Sequence, residues 1–85
     1  MNENVKLLVY SIEDIKVGTF GRPIHVKHSV EAHRIFHKLI NDGDSMISGY
    51  TQDFNLVKLG EFDTVTGKTE NYQEIEIEGK NLIKE

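Results

Sequence analysis

The sequence predicts an α+β fold: a single domain in which one helix packs on a mostly antiparallel sheet, in the order β-β-α-β-β. Three observations predict it. Short apolar runs bounded by turn residues flank the middle of the chain on both sides. One stretch only, 30–41, carries apolar residues at helical spacing. Near the C-terminal end, Asp63 and Gly67 bracket a tight reversal between two strand-like segments. Strands on either side of one helix give an antiparallel sheet covered on one face.

The elements follow in chain order. Lys6–Ile12 reads as a strand. Leu8, Tyr10 and Ile12 share one face and Leu7 and Val9 the other, so both faces carry apolar side chains. Residues 13–20 give no clear element. Pro23 introduces a short strand over Ile24–Lys27. Ser29 is placed to cap a helix, since its hydroxyl can accept from an unpaired backbone N–H. The helix runs over Val30–Asn41, with Ala32, Ile35, Phe36, Leu39 and Ile40 in one stripe. Asp42-Gly43 stops it, Gly43 being free to take the left-handed cap conformation. Residues 44–52 read as a polar loop. Phe54–Phe62 is a strand with a bulge at Gly60. After the Asp63–Gly67 turn, Lys68–Glu78 alternates, Ile75 and Ile77 on one face and Glu74, Glu76 and Glu78 on the other. Leu82 and Ile83 pin the end of the chain. The expected core is Tyr10, Ile35, Phe36, Leu39, Leu56, Val57, Ile75 and Ile77.

At 85 residues such a domain has a modest core, and with no cysteine it has no disulfide to reinforce it. A homo-oligomer, most simply a dimer, is the expected remedy, with the Lys6–Ile12 strand in contact. Met1-Asn2-Glu3-Asn4 is not basic and the Leu7–Tyr10 run is short, so neither a signal peptide nor a membrane span is expected.

The net charge of −4 is unevenly spread. Residues 20–40 hold Arg22, Lys27, Arg34 and Lys38 against Glu31 alone, and all four histidines, His25, His28, His33 and His37. The acid excess lies outside that window. The helix exterior, with Arg34, His37, Lys38 and Asn41 opposite the apolar stripe, could meet an anionic partner. Tyr50 and Tyr72 are candidates for stacking on bases.

Other chemistry finds little support. His33 and His37 are one helical turn apart, a spacing that can chelate a metal, but no acid joins them in a zinc motif and no metal is expected. Residues 41–45, Asn-Asp-Gly-Asp-Ser, begin like a calcium loop and lack its closing Glu. Neither a nucleophile signature nor a phosphate-binding Gly-rich loop is present, so the chain reads as a non-enzyme without a cofactor.

The run from Asp53 to Lys68 carries a family resemblance. Asp53-Phe54-Asn55-Leu56, then Leu59-Gly60-Glu61-Phe62-Asp63, then Thr66-Gly67, resembles the small non-structural protein of the gokushoviruses, single-stranded DNA phages of the Microviridae. Leu7 to Asp14, Gly21-Arg22-Pro23 with Ile24 and Val26, the helix with Ala32, Arg34 and Phe36, and Glu78 to Ile83 are similar to that family in order and spacing. One departure is Thr51-Gln52, where the family often has a proline before the acidic-aromatic pair. The resemblance implies a DNA-binding protein of the bacterial host cytoplasm, acting when replication shifts from duplex copying to single-strand synthesis. Its contacts with single- or double-stranded DNA would fall on Arg22, Lys27, Arg34, His37 and Lys38. The alternative is an adaptor that engages a host or phage replication protein without touching DNA.

Overall fold

The computed structural model of the protein describes residues 6–82. Five strands and one main helix form a mixed α+β domain. The elements are β1 (Lys6–Asp14), β2 (Thr19–Phe20), β3 (Ile24–Val26), α1 (Ser29–Asn41), α2 (Met46–Gly49), β4 (Phe54–Asp63) and β5 (Thr69–Glu78). Short 3-10 turns over Thr51–Asp53 and Gly79–Leu82 precede β4 and follow β5. All strand pairs are antiparallel. The order across the sheet is β2-β1-β4-β5, with β3 continuing beside β1 after β2 ends.

β2 and β3 are one return strand broken at residues 21–23. Glu13 pairs with Phe20 and Tyr10 with Ile24, a register one residue out of step. Pro23 has no N–H to give the ladder, which explains why pairing lapses there. The fully buried Ser11 bridges the gap, its hydroxyl donating to the Gly21 carbonyl at 2.8 Å.

The expected bulge on β4 is present. Val9 pairs with Gly60 and Tyr10 with Lys58, leaving Leu59 as the extra residue. Gly60 has φ 145°, and a Cβ on it would collide with the Glu70 carbonyl of the neighbouring strand. The Asp63–Gly67 reversal also forms as its residues require. Asp63 Oδ1 accepts from the amides of Val65 and Thr66, and Gly67 takes φ 77°.

The helix differs in detail from expectation. It begins at Ser29 itself, with His28 as the cap residue. The decisive capping group is Glu31, whose Oε1 accepts from the amides of Lys27 (2.9 Å) and His28 (3.4 Å). Those bonds hold the Glu31 carboxyl below its ordinary value. At the other end Asp42 is extended, and Gly43 is not among the glycines of positive φ, so the stop uses no left-handed cap. The supposed loop after it holds α2, capped by Ser45, and the first 3-10 turn.

The core lies between α1 and one sheet face. Tyr10, Val26, Ala32, Phe36, Phe54 and Leu56 are buried there, with Leu8, Ile12, Ile24, Ile40, Ile47, Ile77 and Leu82 packed around them. Of the expected core, Tyr10, Phe36, Leu56 and Val57 are buried, and Leu39 and Ile77 are half-buried. Ile35 and Ile75 are exposed. Ile75 is exposed because β5 does not alternate evenly. Leu56 pairs with Ile77 and its neighbour Val57 with Ile75, so Glu76 is an extra residue on β5. That bulge puts Ile75 and Ile77 on opposite faces and turns Glu76 toward the helix. Ile35 sits on a flank of the helical stripe and is 37 % exposed. Ile83 lies outside the described residues.

Candidate nucleic-acid interface

Because α1 buries Ala32 and Phe36, helical geometry decides where its other residues point. His33 flanks the stripe on the β5 side, where its Nε2 donates to Glu76 Oε1 at 2.8 Å. Arg34, His37, Lys38 and Asn41 occupy the outer arc and are all exposed. Lys38 falls on the flank opposite His33, the one over β3. Lys27 precedes the helix, its backbone amide bound by the Glu31 carboxylate and its side chain exposed. Arg34 and Lys38 share the outer arc of α1 with His37. Arg22 is exposed at the break between β2 and β3.

These cations are available. Among the described residues none of Arg22, Lys27, Arg34 and Lys38 makes an ion pair within 4 Å. Lys6 and Lys58, by contrast, lie at 3.5 and 3.9 Å from the Glu61 carboxylate. Glu31, three residues before Arg34, has its carboxylate occupied by two backbone amides. The sheet separates charge by edge: Glu70, Glu74, Glu76 and Glu78 all lie on β5, on the side away from β3.

His25 and Tyr72 lie off this face. His25 pairs with Val9, on the sheet face away from the helix, and so cannot join His33 and His37. No group of three or more metal-ligating side chains comes together among the described residues. Tyr72 is held elsewhere: its hydroxyl donates to Glu61 Oε2 at 3.1 Å and Lys58 Nζ lies 5.7 Å from its ring centre. Tyr50, 59 % exposed beside α2, is the aromatic left free to stack. Two clefts on the β4–β5 hairpin, one of about 170 Å³ lined by Lys6, Glu61, Asp63, Lys68, Thr69 and Glu70, contain none of the predicted site residues.

Sequence reading missed the His33–Glu76–Tyr10 cluster at the opposite flank. The Tyr10 hydroxyl is buried close beside the Glu76 carboxylate. Burial first, and then the Glu76 charge, push its pKa up to about 12. The bulge that creates this cluster leaves no mark in a pattern read at period two.

Fold and surface thus define a small single-sheet α+β module that presents a cationic helix rather than a concave pocket. Its family is shown by comparison: the model described as "Phage ORF5 protein" matches residues 7–81, and the chain belongs to that family. It is a phage protein. No curated protein and no solved structure matches it. No helix among the described residues is long and apolar enough to cross a membrane.

Proposed function

We propose that this phage protein binds viral DNA during replication, as the small non-structural proteins of gokushoviruses that it resembles are held to do, at the shift from duplex to single-strand synthesis in the host cytoplasm. The observation that supports the reading is the exposed Arg34 and Lys38 on the outer arc of α1, which make no ion pair among the described residues. Arg34 and Lys38 would hold phosphates, with Lys27 and Arg22 extending the track along β3. His37 at the rim adds charge when protonated. Tyr50 supplies a ring face for an unstacked base, which favours single strands. The role is binding, with no catalytic step and no cofactor.

One observation favours a second reading. The row of glutamates on β5 repels phosphate and suits a basic segment of a host or phage replication protein, so the protein could act as an adaptor without touching DNA. Fluorescence anisotropy with labelled single-stranded and duplex oligonucleotides separates the two. The DNA reading expects binding at low salt that Arg34→Ala with Lys38→Ala removes. Absence of DNA binding, with capture of a replication protein through the β5 edge, would favour the adaptor.

A further inference from the structure

The sequence of β5 and its pairing are in conflict. Glu74, Ile75, Glu76, Ile77 and Glu78 alternate strictly, a pattern that suits a strand with both isoleucines on one face. The pairing separates them. Leu56 pairs with Ile77 and Val57 with Ile75, so Glu76 is left over. Ile77 packs against the core, while Ile75 on the other face is 55 % exposed. No residue of positive φ lies on β5, so its backbone does not itself require a bulge there. A second irregularity lies close by. Lys58 pairs with Glu74 and Gly60 with Asn71, which leaves Tyr72 and Gln73 opposite Leu59 alone.

What the bulge gains is the position of one carboxylate. It turns Glu76 to the helix side, where Oε1 meets His33 Nε2 of α1 at 2.8 Å. There the carboxylate also lies beside the Tyr10 hydroxyl of β1. Tyr10 is fully buried, and a buried hydroxyl needs a polar neighbour. Two opposed preferences therefore act on the same short segment. Covering Ile75 favours the even strand. The contacts of Glu76 favour the bulge.

We infer that β5 has two registers, and that Glu76 is the catch that selects between them. In the second register the extra residue moves from Glu76 to the irregularity already present. Val57 then pairs with Glu76 and Lys58 with Ile75, and Tyr72, Gln73 and Glu74 stand opposite Leu59. Ile75 joins Ile77 on the helix side, and Glu76 takes the exposed place that Ile75 now holds opposite Val57. Only Glu74, Ile75 and Glu76 change partners. The Leu56–Ile77 and Gly60–Asn71 pairs and the Asp63–Gly67 turn stay as they are. The two faces exchange side chains through a slip of one residue. Because His33 shares α1 with Arg34 and Lys38, the bulged strand holds the flank of that helix and the even strand releases it. None of this depends on DNA binding.

NMR of the full chain reads the register directly, through contacts between backbone protons of paired residues. The wild type should show the Val57–Ile75 pairing. Tyr10→Phe with His33→Ala removes both partners of Glu76, and this variant should show Val57–Glu76 and Lys58–Ile75 instead. Adding Ile75→Asn removes the apolar drive and should restore the first pairing. His33→Ala alone is a change at a half-buried residue outside the core, and it serves if the double variant does not fold. It should raise the population of the second register roughly tenfold. Relaxation dispersion would show this as millisecond exchange confined to residues 72–77. A folded double variant that keeps the Val57–Ile75 pairing overturns the proposal. So does His33→Ala with no more exchange at these residues than the wild type, and so does an even register that persists after Ile75→Asn.

Discussion

Phe36 and Gly60 show how much of this small domain rests on single residues. Phe36 is fully buried and closes the space between α1 and the sheet. Its replacement by alanine removes that packing and leaves a cavity, at a cost of about 3–5 kcal/mol. That is a large part of the stability of a domain this size, and a urea titration should show the variant largely unfolded or unfolding at much lower denaturant. Gly60→Ala should also destabilise, because the backbone is at a φ that disfavours a Cβ and because the Glu70 carbonyl fills the space where one would go. Acid should act through three carboxyls. Glu31 is held below its ordinary range by the Lys27 and His28 amides, Asp63 by the Thr66 and Val65 amides, and Glu61 by the Tyr72 hydroxyl and then Lys6. A lowered folded-state value means stability that is present above the unfolded value and lost as pH falls through the folded one. Thermal unfolding between pH 7 and about 3 should therefore show the melting temperature falling below about pH 4.5. A melting temperature that rises on acidification would contradict these assignments.

Among the elements, α1 and β4 were the legible ones. Phe36 and Ala32 recur at helical spacing, and Gly60 and Gly67 mark backbone that other residues resist, so the bulge and the turn could be read before the fold was known. β5 was only half legible. Its glutamates and isoleucines alternate in sequence, yet the extra residue at Glu76 sends Ile75 and Ile77 to different faces. A bulge without a glycine to mark it depends on the partner strand, which the sequence of β5 does not contain. α2 and the 3-10 turns have three or four residues each, too few to show a period. The cationic arc of α1 was readable for the same reason as its core: once Ala32 and Phe36 face inward, Arg34 and Lys38 must face out. The glutamates of β5 work against that arc. If α1 binds DNA, Glu70→Gln with Glu74→Gln should tighten binding at low salt by removing two charges that repel phosphate, and the gain should fade as salt screens them. Weaker binding by this variant would show that β5 itself takes part in the contact.

At the scale of the whole molecule, shape and charge point the same way. The protein measures 47 × 24 × 20 Å, and its radius of gyration of 13.9 Å exceeds the roughly 12 Å of a compact chain of this length. Toward the β4–β5 turn the helix-side face carries Lys58, Glu61, Tyr72 and Glu74 in place of core residues. Across the sheet, cations gather along α1 and β3 and glutamates along β5. Position along the chain already announced this separation, since residues 20–40 form both the cationic helix and the sheet edge next to it. On the proposed function the cationic side holds phosphates. The most direct measurement is the dependence of the DNA-binding constant on salt, for single-stranded and duplex oligonucleotides, in the wild type and in Arg34→Ala with Lys38→Ala. The wild type should bind more weakly as salt rises. The double variant should lose about two units of log–log slope on duplex and about 1.4 on single strands, one contact for each cation removed. A wild type whose binding ignores salt, or a double variant with the wild-type affinity and slope, would contradict it.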